Sequence, residues 1–90
     1  MMWLSFCDPD KPTGTQFLGA CIVRAHDMLA AVALAHILGI NPGGEVAGVE
    51  FDDDAPVPEI YVNKLMDKQT IAELEAAMAR YGTTYRREDD

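Results

Sequence analysis

Residues Met28-Leu29-Ala30-Ala31-Val32-Ala33-Leu34-Ala35-His36-Ile37-Leu38 contain no Asp, Glu, Lys or Arg, and their reading decides the fold. Asp27 before them can accept backbone hydrogen bonds at a helix start, and Gly39 after them can take the left-handed conformation that ends one. A helix of about eleven residues is therefore bracketed. At 100° per residue Leu29, Val32 and His36 fall on one side, with Ala31, Leu34 and Leu38 almost opposite. A helix lying on one sheet of a small monomer has a polar back, because its outward side meets water. This one has alanines and large aliphatics all round, so two partners are expected to cover it. Leaving roughly 300 Å² of aliphatic surface wet forfeits about 7 kcal/mol, comparable to the whole stability of a small domain. A homo-oligomer through residues 28–38 is expected. The alternative is a compact monomer in which Lys and Arg stems and the C-terminal tail cover the helix.

Upstream of the helix, Trp3 to Cys7 reads as a short strand, and residues 8–15 are too rich in turn formers to extend it. Gln16 to Arg24 is apolar on both faces, with Phe17, Cys21 and Val23 on one and Leu18, Ala20 and Ile22 on the other. That pattern predicts a central strand covered on two sides. Pairing the two strands brings Cys7 near Thr15 or Gln16 and leaves Cys21 several residues away, so reduced thiols are expected.

Downstream, Asn41-Pro42-Gly43-Gly44 forbids continuation of the helix, and Glu45 to Phe51 reads as a strand. It turns Ala47, Val49 and Phe51 one way and Val46, Gly48 and Glu50 the other, with Gly48 suited to a close backbone approach. Ile60-Tyr61-Val62 is an optional short edge strand. Asp67 caps a second helix carrying Ile71, Leu74, Met78 and Tyr81 at helical spacing, and Gly82 is expected to close it. The fold class is thus α+β: a small three- or four-stranded, mainly antiparallel sheet with two helices, in the order β-β-α-β-(β)-α. Residues 1–82 form a single domain and residues 83–90 a charged C-terminal tail.

The 90 residues include 15 acids and 7 Lys and Arg, a net charge of −8, with 49% hydrophobic residues. Such a chain collapses around a core, and its charge repels phosphate backbones and anionic lipid. General nucleic-acid or membrane binding is not expected. The longest apolar run is about half the roughly 20 residues that cross a bilayer. The start of the chain has no basic segment ahead of an apolar core, so no export signal is read and a cytoplasmic location is expected.

Candidate ligand-binding residues fall in three places. Lys11, Thr13, Gly14, Thr15 and Gln16 offer a cation and hydrogen-bonding groups on a loop near Trp3 and Phe6, suited to a small polar ligand with a flat ring, although an ordinary solvated loop uses the same residues. Pro42, Gly43 and Gly44 could present amides as an anion nest or form a plain tight turn. Arg24 could meet a phosphate, with an ion pair to Asp27 as the favoured alternative. Asp52, Asp53 and Asp54 lack the alternating spacing of a calcium loop, and His26, His36, Cys7 and Cys21 lack the spacings of a structural zinc site, so no metal or other cofactor is expected. Ser5, Cys7 or Cys21 would need a tertiary contact with His26 to act as a nucleophile, so no catalytic residue is assigned. Arg80, Arg86 and Arg87 near Tyr81 and Tyr85 form a basic-aromatic group that Glu88, Asp89 and Asp90 can neutralise.

Three segments, Ser5-Phe6-Cys7-Asp8-Pro9-Asp10-Lys11-Pro12, Gly14-Thr15-Gln16-Phe17-Leu18-Gly19 and Leu38-Gly39-Ile40-Asn41-Pro42-Gly43-Gly44-Glu45-Val46, resemble parts of small proteins of phages and prophages. The resemblance covers about the first half of the chain. By analogy it implies a host-inhibiting factor in the host cytoplasm that sequesters a nucleotide-like immune signal between subunits. The expected function is accordingly non-catalytic sequestration of a small nucleotide-like ligand by a homo-oligomer. The alternative is an acidic inhibitor of a host protein that occupies a nucleic-acid-binding surface.

Overall fold

A computed structural model describes the backbone of residues 1–89 and the side chains of residues 1–80. The elements run β1 (Met2–Cys7), β2 (Phe17–Val23), α1 (Met28–Ile37), β3 (Glu45–Glu50), a 3₁₀ turn (Glu59–Tyr61) and α2 (Lys68–Asp89). The strands form one antiparallel sheet in the order β2-β1-β3, an α+β fold as expected from the sequence.

Alternation along β1 sends Met2, Leu4 and Phe6 to one face of the sheet and Trp3 and Ser5 to the other. On the first face they join Cys21, Val23 and the α1 residues Ala31 and Ala35 in one buried cluster. On the second face Ile22 packs with Met66 and the α2 residue Leu74, flanked by Trp3, Ile71 and Met78. The two helices therefore cover opposite faces, and neither lies on the other's back.

The central strand is β1, not β2 as the doubly apolar pattern of residues 16–24 predicted. The physical reason lies at the outer border of β2. Val62 bridges Ile22 in parallel sense and Met66 bridges Ala20 in antiparallel sense. The Ala20 amide donates to Met66 O at 3.0 Å, the Met66 amide to Ala20 O at 2.7 Å and the Asn63 amide to Ile22 O at 2.8 Å. A crossing segment thus shields β2 on its outer side as a neighbouring strand would. The optional fourth strand at 60–62 is replaced by the 3₁₀ turn and these two bridges.

A register shift between Phe6 and Cys7 sets Phe17, not Thr15 or Gln16, opposite Cys7, and leaves Leu18 packed with the α1-side cluster. Gly19 sits at this irregularity with φ +138°, where a Cβ would press on Leu65. Both cysteines are free thiols.

The helix ends follow their sequence signals. The Ala30 amide donates to Asp27 Oδ1 at 2.8 Å, and the Thr70 amide to Asp67 Oδ1 at 2.8 Å. Gly39 takes φ +73°, with its amide donating to His36 O and the Ile40 amide to Ala35 O, both at 3.0 Å. That pairing is a Schellman stop. By contrast α2 continues through Gly82, its expected end, to Asp89, so the expected tail is helical as far as residue 89. One glycine costs a helix about 1 kcal/mol, too little to end it unaided.

Candidate binding surfaces

The helix that decided the sequence reading packs with its small residues inward. Ala31 and Ala35 are fully buried against the sheet, with Met28, Val32 and Leu34 at the flanks. Leu29, Ala33 and Ile37, spaced i, i+4 and i+8, form a stripe on the opposite side. Leu29 is 83% exposed, Ile37 77% and the capping Leu38 42%. These side chains offer on the order of 400 Å² of aliphatic surface, within the range of the largest patch on an ordinary monomer, which often carries a function.

The loop 8–16 is closed by its own backbone and by Gln16. The Asp8 amide donates to Gln16 O at 2.8 Å, and Gln16 Nε2 donates to Pro9 O at 3.2 Å and Lys11 O at 3.1 Å. The Thr15 hydroxyl donates to Pro12 O at 2.7 Å. Lys11, Thr13, Gly14 and Thr15 are exposed at its tip. The Pro42–Gly43–Gly44 turn lies at the same end of the sheet, because Gly44 backs onto the Cys7 carbonyl and Leu18. Gly43 and Gly44 have φ of the same sign, +88° and +75°, and the Gly43 amide donates to Asn41 Oδ1 at 2.9 Å, the arrangement of a tight turn.

Trp3 and Arg24 lie elsewhere. Trp3 stands on the α2 side of the sheet between Ile22 and Val49, five residues and about 16 Å along the chain from the start of the loop. Phe6 is buried on the other face. Arg24 follows β2 at the far end and pairs with Glu59, while Asp27, its expected partner, caps α1. One copy of the chain therefore gathers the loop and the glycine turn, but not Trp3 or Arg24, at one end.

At the far end His26 Nδ1 lies 3.1 Å from Glu50 Oε2 and Nε2 3.3 Å from Asp53 Oδ2. The Met1 ammonium donates to Asp53 Oδ1 at 2.5 Å and holds that carboxyl below the ordinary aspartate value, with His26 adding to the effect. Among the described residues no three His, Cys, Asp or Glu side chains gather as metal ligands. An apolar cleft of about 330 Å³, lined by Trp3, Ile22, Phe51, Val57, Leu74 and Met78, separates α2 from the sheet. The Arg80-centred basic group falls largely on side chains outside the described residues.

One surface went unread in the sequence: the outer border of β3. Its signal was present, since Glu45 and Glu50 bracket Val46-Ala47-Gly48-Val49, and charges closing a short strand mark a sheet edge. No described helix is long and apolar enough to cross a membrane. Comparison with family models, curated proteins and solved structures finds no match to this chain.

Proposed function

We propose that this chain is a non-catalytic binding protein that works as a homo-oligomer, joined through α1, and takes a small nucleotide-like ligand at the margin of that contact. The observation that carries it is the outward Leu29–Ala33–Ile37 stripe. Its aliphatic area suits the apolar centre of an interface of about 800 Å² per partner. The small Ala33 at its middle lets two such helices approach closely, each Leu29 packing beside the other copy's Ile37 when they run antiparallel.

That pairing would also bring together what one copy keeps apart. The Pro42–Gly44 turn follows the C-terminal end of α1, and Arg24 precedes its N-terminal end. Antiparallel helices set one copy's turn at the same end as the other copy's Arg24, whose guanidinium would leave Glu59 to meet an anionic ligand there, with Lys11 on the adjoining loop. Sequestration by such a site returns the ligand intact. Burial of Cys21 keeps its thiol protonated and away from chemistry.

Sedimentation at micromolar concentration tests the assembly. Dimers are expected for the native chain and monomers of unchanged fold for Leu29→Glu and Ile37→Glu. A native chain sedimenting as a stable monomer overturns the proposal. Calorimetry against cyclic di- and trinucleotides and ADP-ribose derivatives tests the ligand: binding is expected to be lost in the monomeric variants, and no heat with any of them removes the nucleotide reading.

A further inference from the structure

The two borders of the sheet differ. The outer side of β2 is covered by residues 62–66, whereas the outer side of β3 faces no described strand. Which groups it leaves open follows from the register. The Phe51 amide donates to Met1 O at 2.9 Å and the Met1 nitrogen to Phe51 O at 3.0 Å, so this pair exchanges both bonds. Antiparallel pairing then repeats every second residue, turning the backbone of Ala47 and Val49 toward β1 and that of Val46, Gly48 and Glu50 outward. A row of side chains on the α2 face, Ile22-Trp3-Val49, also stops at this border, with Val49 63% exposed.

We propose that the outer border of β3 docks an extended, basic segment of another protein as a fourth strand, a surface separate from the α1 contact. Charge decides the occupant. Two antiparallel copies of β3 must set outward residues opposite outward residues, so each Glu50 meets the other copy's Val46, and each end of the pair crowds one copy's Glu45 and the other's Glu50 into like-charge repulsion. Asp52, Asp53 and Asp54 follow immediately and add to the repulsion. A guest with Lys or Arg five positions apart meets both glutamates, and a large apolar residue opposite Val49 continues the row that Trp3 begins.

The test uses the full chain, labelled with ¹⁵N, and two capped hexapeptides, Lys-Ile-Thr-Thr-Val-Lys and Glu-Ile-Thr-Thr-Val-Glu. The lysine peptide is expected to slow amide exchange at Val46, Gly48 and Glu50 and leave Ala47 and Val49 unchanged. Exchanging both charges in the chain, Glu45→Lys with Glu50→Lys, is expected to reverse the peptide preference by roughly tenfold, the effect of two cross-strand ion pairs. Compared with Glu50→Gln, which removes only the charge, Glu50→Pro also removes one outward donor without touching the β1 ladder and is expected to weaken binding further. Three results would each overturn the proposal: no new protection at those three amides, equal binding of both peptides, or protection that rises with protein concentration alone. None of them bears on sedimentation through α1, so the two proposals fail separately.

Discussion

The sulfur of Met28 occupies the space above Gly48: a Cβ at residue 48 would lie 2.5 Å from it, with Met2 and Leu4 close behind. This contact locks the first turn of α1 onto β3. Gly48→Ala is expected to destabilise the fold by no more than about 1 kcal/mol, because the atoms it meets are the mobile ends of Met28, Met2 and Leu4. In a double-mutant cycle with Met28→Ala the two losses should be less than additive, because the shortened side chain vacates the site. Urea midpoints of the four proteins measure this, and strict additivity would contradict it.

The turn after α1 supplies a sharper contrast. At Gly43 a Cβ meets nothing within 4 Å, so Gly43→Ala should cost only the left-handed strain of about 1–2 kcal/mol. At Gly44 the same methyl adds a collision with the Cys7 carbonyl, which belongs to the central strand and cannot swing away. Gly44→Ala should unfold at clearly lower urea than Gly43→Ala, and equal midpoints would show that the turn relaxes.

Opposite sides of α1 should answer differently to one enlargement. Ala31→Leu forces a larger side chain against Leu4 and Phe6 and is expected to cost about 1–3 kcal/mol. Ala33→Leu, on the exposed stripe, should stay within about 0.5 kcal/mol for the isolated chain while separating any pair of helices that meets there. Thermal unfolding of dilute samples, with sedimentation alongside, distinguishes the two.

Asp67 makes the stability depend on acid. The Thr70 backbone amide, aided by its hydroxyl, holds the Asp67 carboxyl below the ordinary aspartate value. The unfolded state therefore binds this proton first. The carboxylate's contribution is complete above its unfolded value of about 3.9 and is lost as pH falls through the lower folded value. Asp67→Asn keeps a cap that does not titrate, so its stability should change less than the native protein's below about pH 4. Parallel pH profiles would contradict this.

At the alkaline end the buried Cys21 thiol, pushed up to about 11, works in the other sense. The unfolded thiol ionises near 8.5 and releases its proton first, so stability should fall as pH rises from about 8.5 to 11. Cys21→Ala should flatten that slope whatever its own packing cost. At neutral pH a thiol reagent should leave Cys21 unmodified until urea opens the fold, and modification of Cys21 in the native state would show that its cover opens.

Much of this architecture was legible because it rests on local chemistry. Asp27, Asp67 and Gly39 act within one helical turn of where they stand, and the alternation of Glu45 to Phe51 needs only a strand. Strand order depends on contacts distant in sequence. Val62 and Met66 border β2, and nothing near Ala20 or Ile22 announces them, so an apolar pattern produced by a crossing segment read as the mark of a central strand. Likewise hydrophobicity could reveal that α1 has no polar side, but not that Ala31 and Ala35 turn inward while Leu29 and Ile37 face water. Of the proposed ligand residues, the loop and glycine turn meet because Gly44 fits against Cys7. Trp3 and Arg24 were grouped with them by residue type alone, and β1 keeps them apart.

With residues 62–66 lying across one margin of the sheet, recruitment of strands can proceed from a single side. Copies of this chain therefore cannot stack border to border through both sides of the sheet, since the far margin offers no second berth. The same closure that gives β2 its doubly apolar pattern thus leaves this small acidic protein one open margin, too few for copies of it to build a fibre strand by strand.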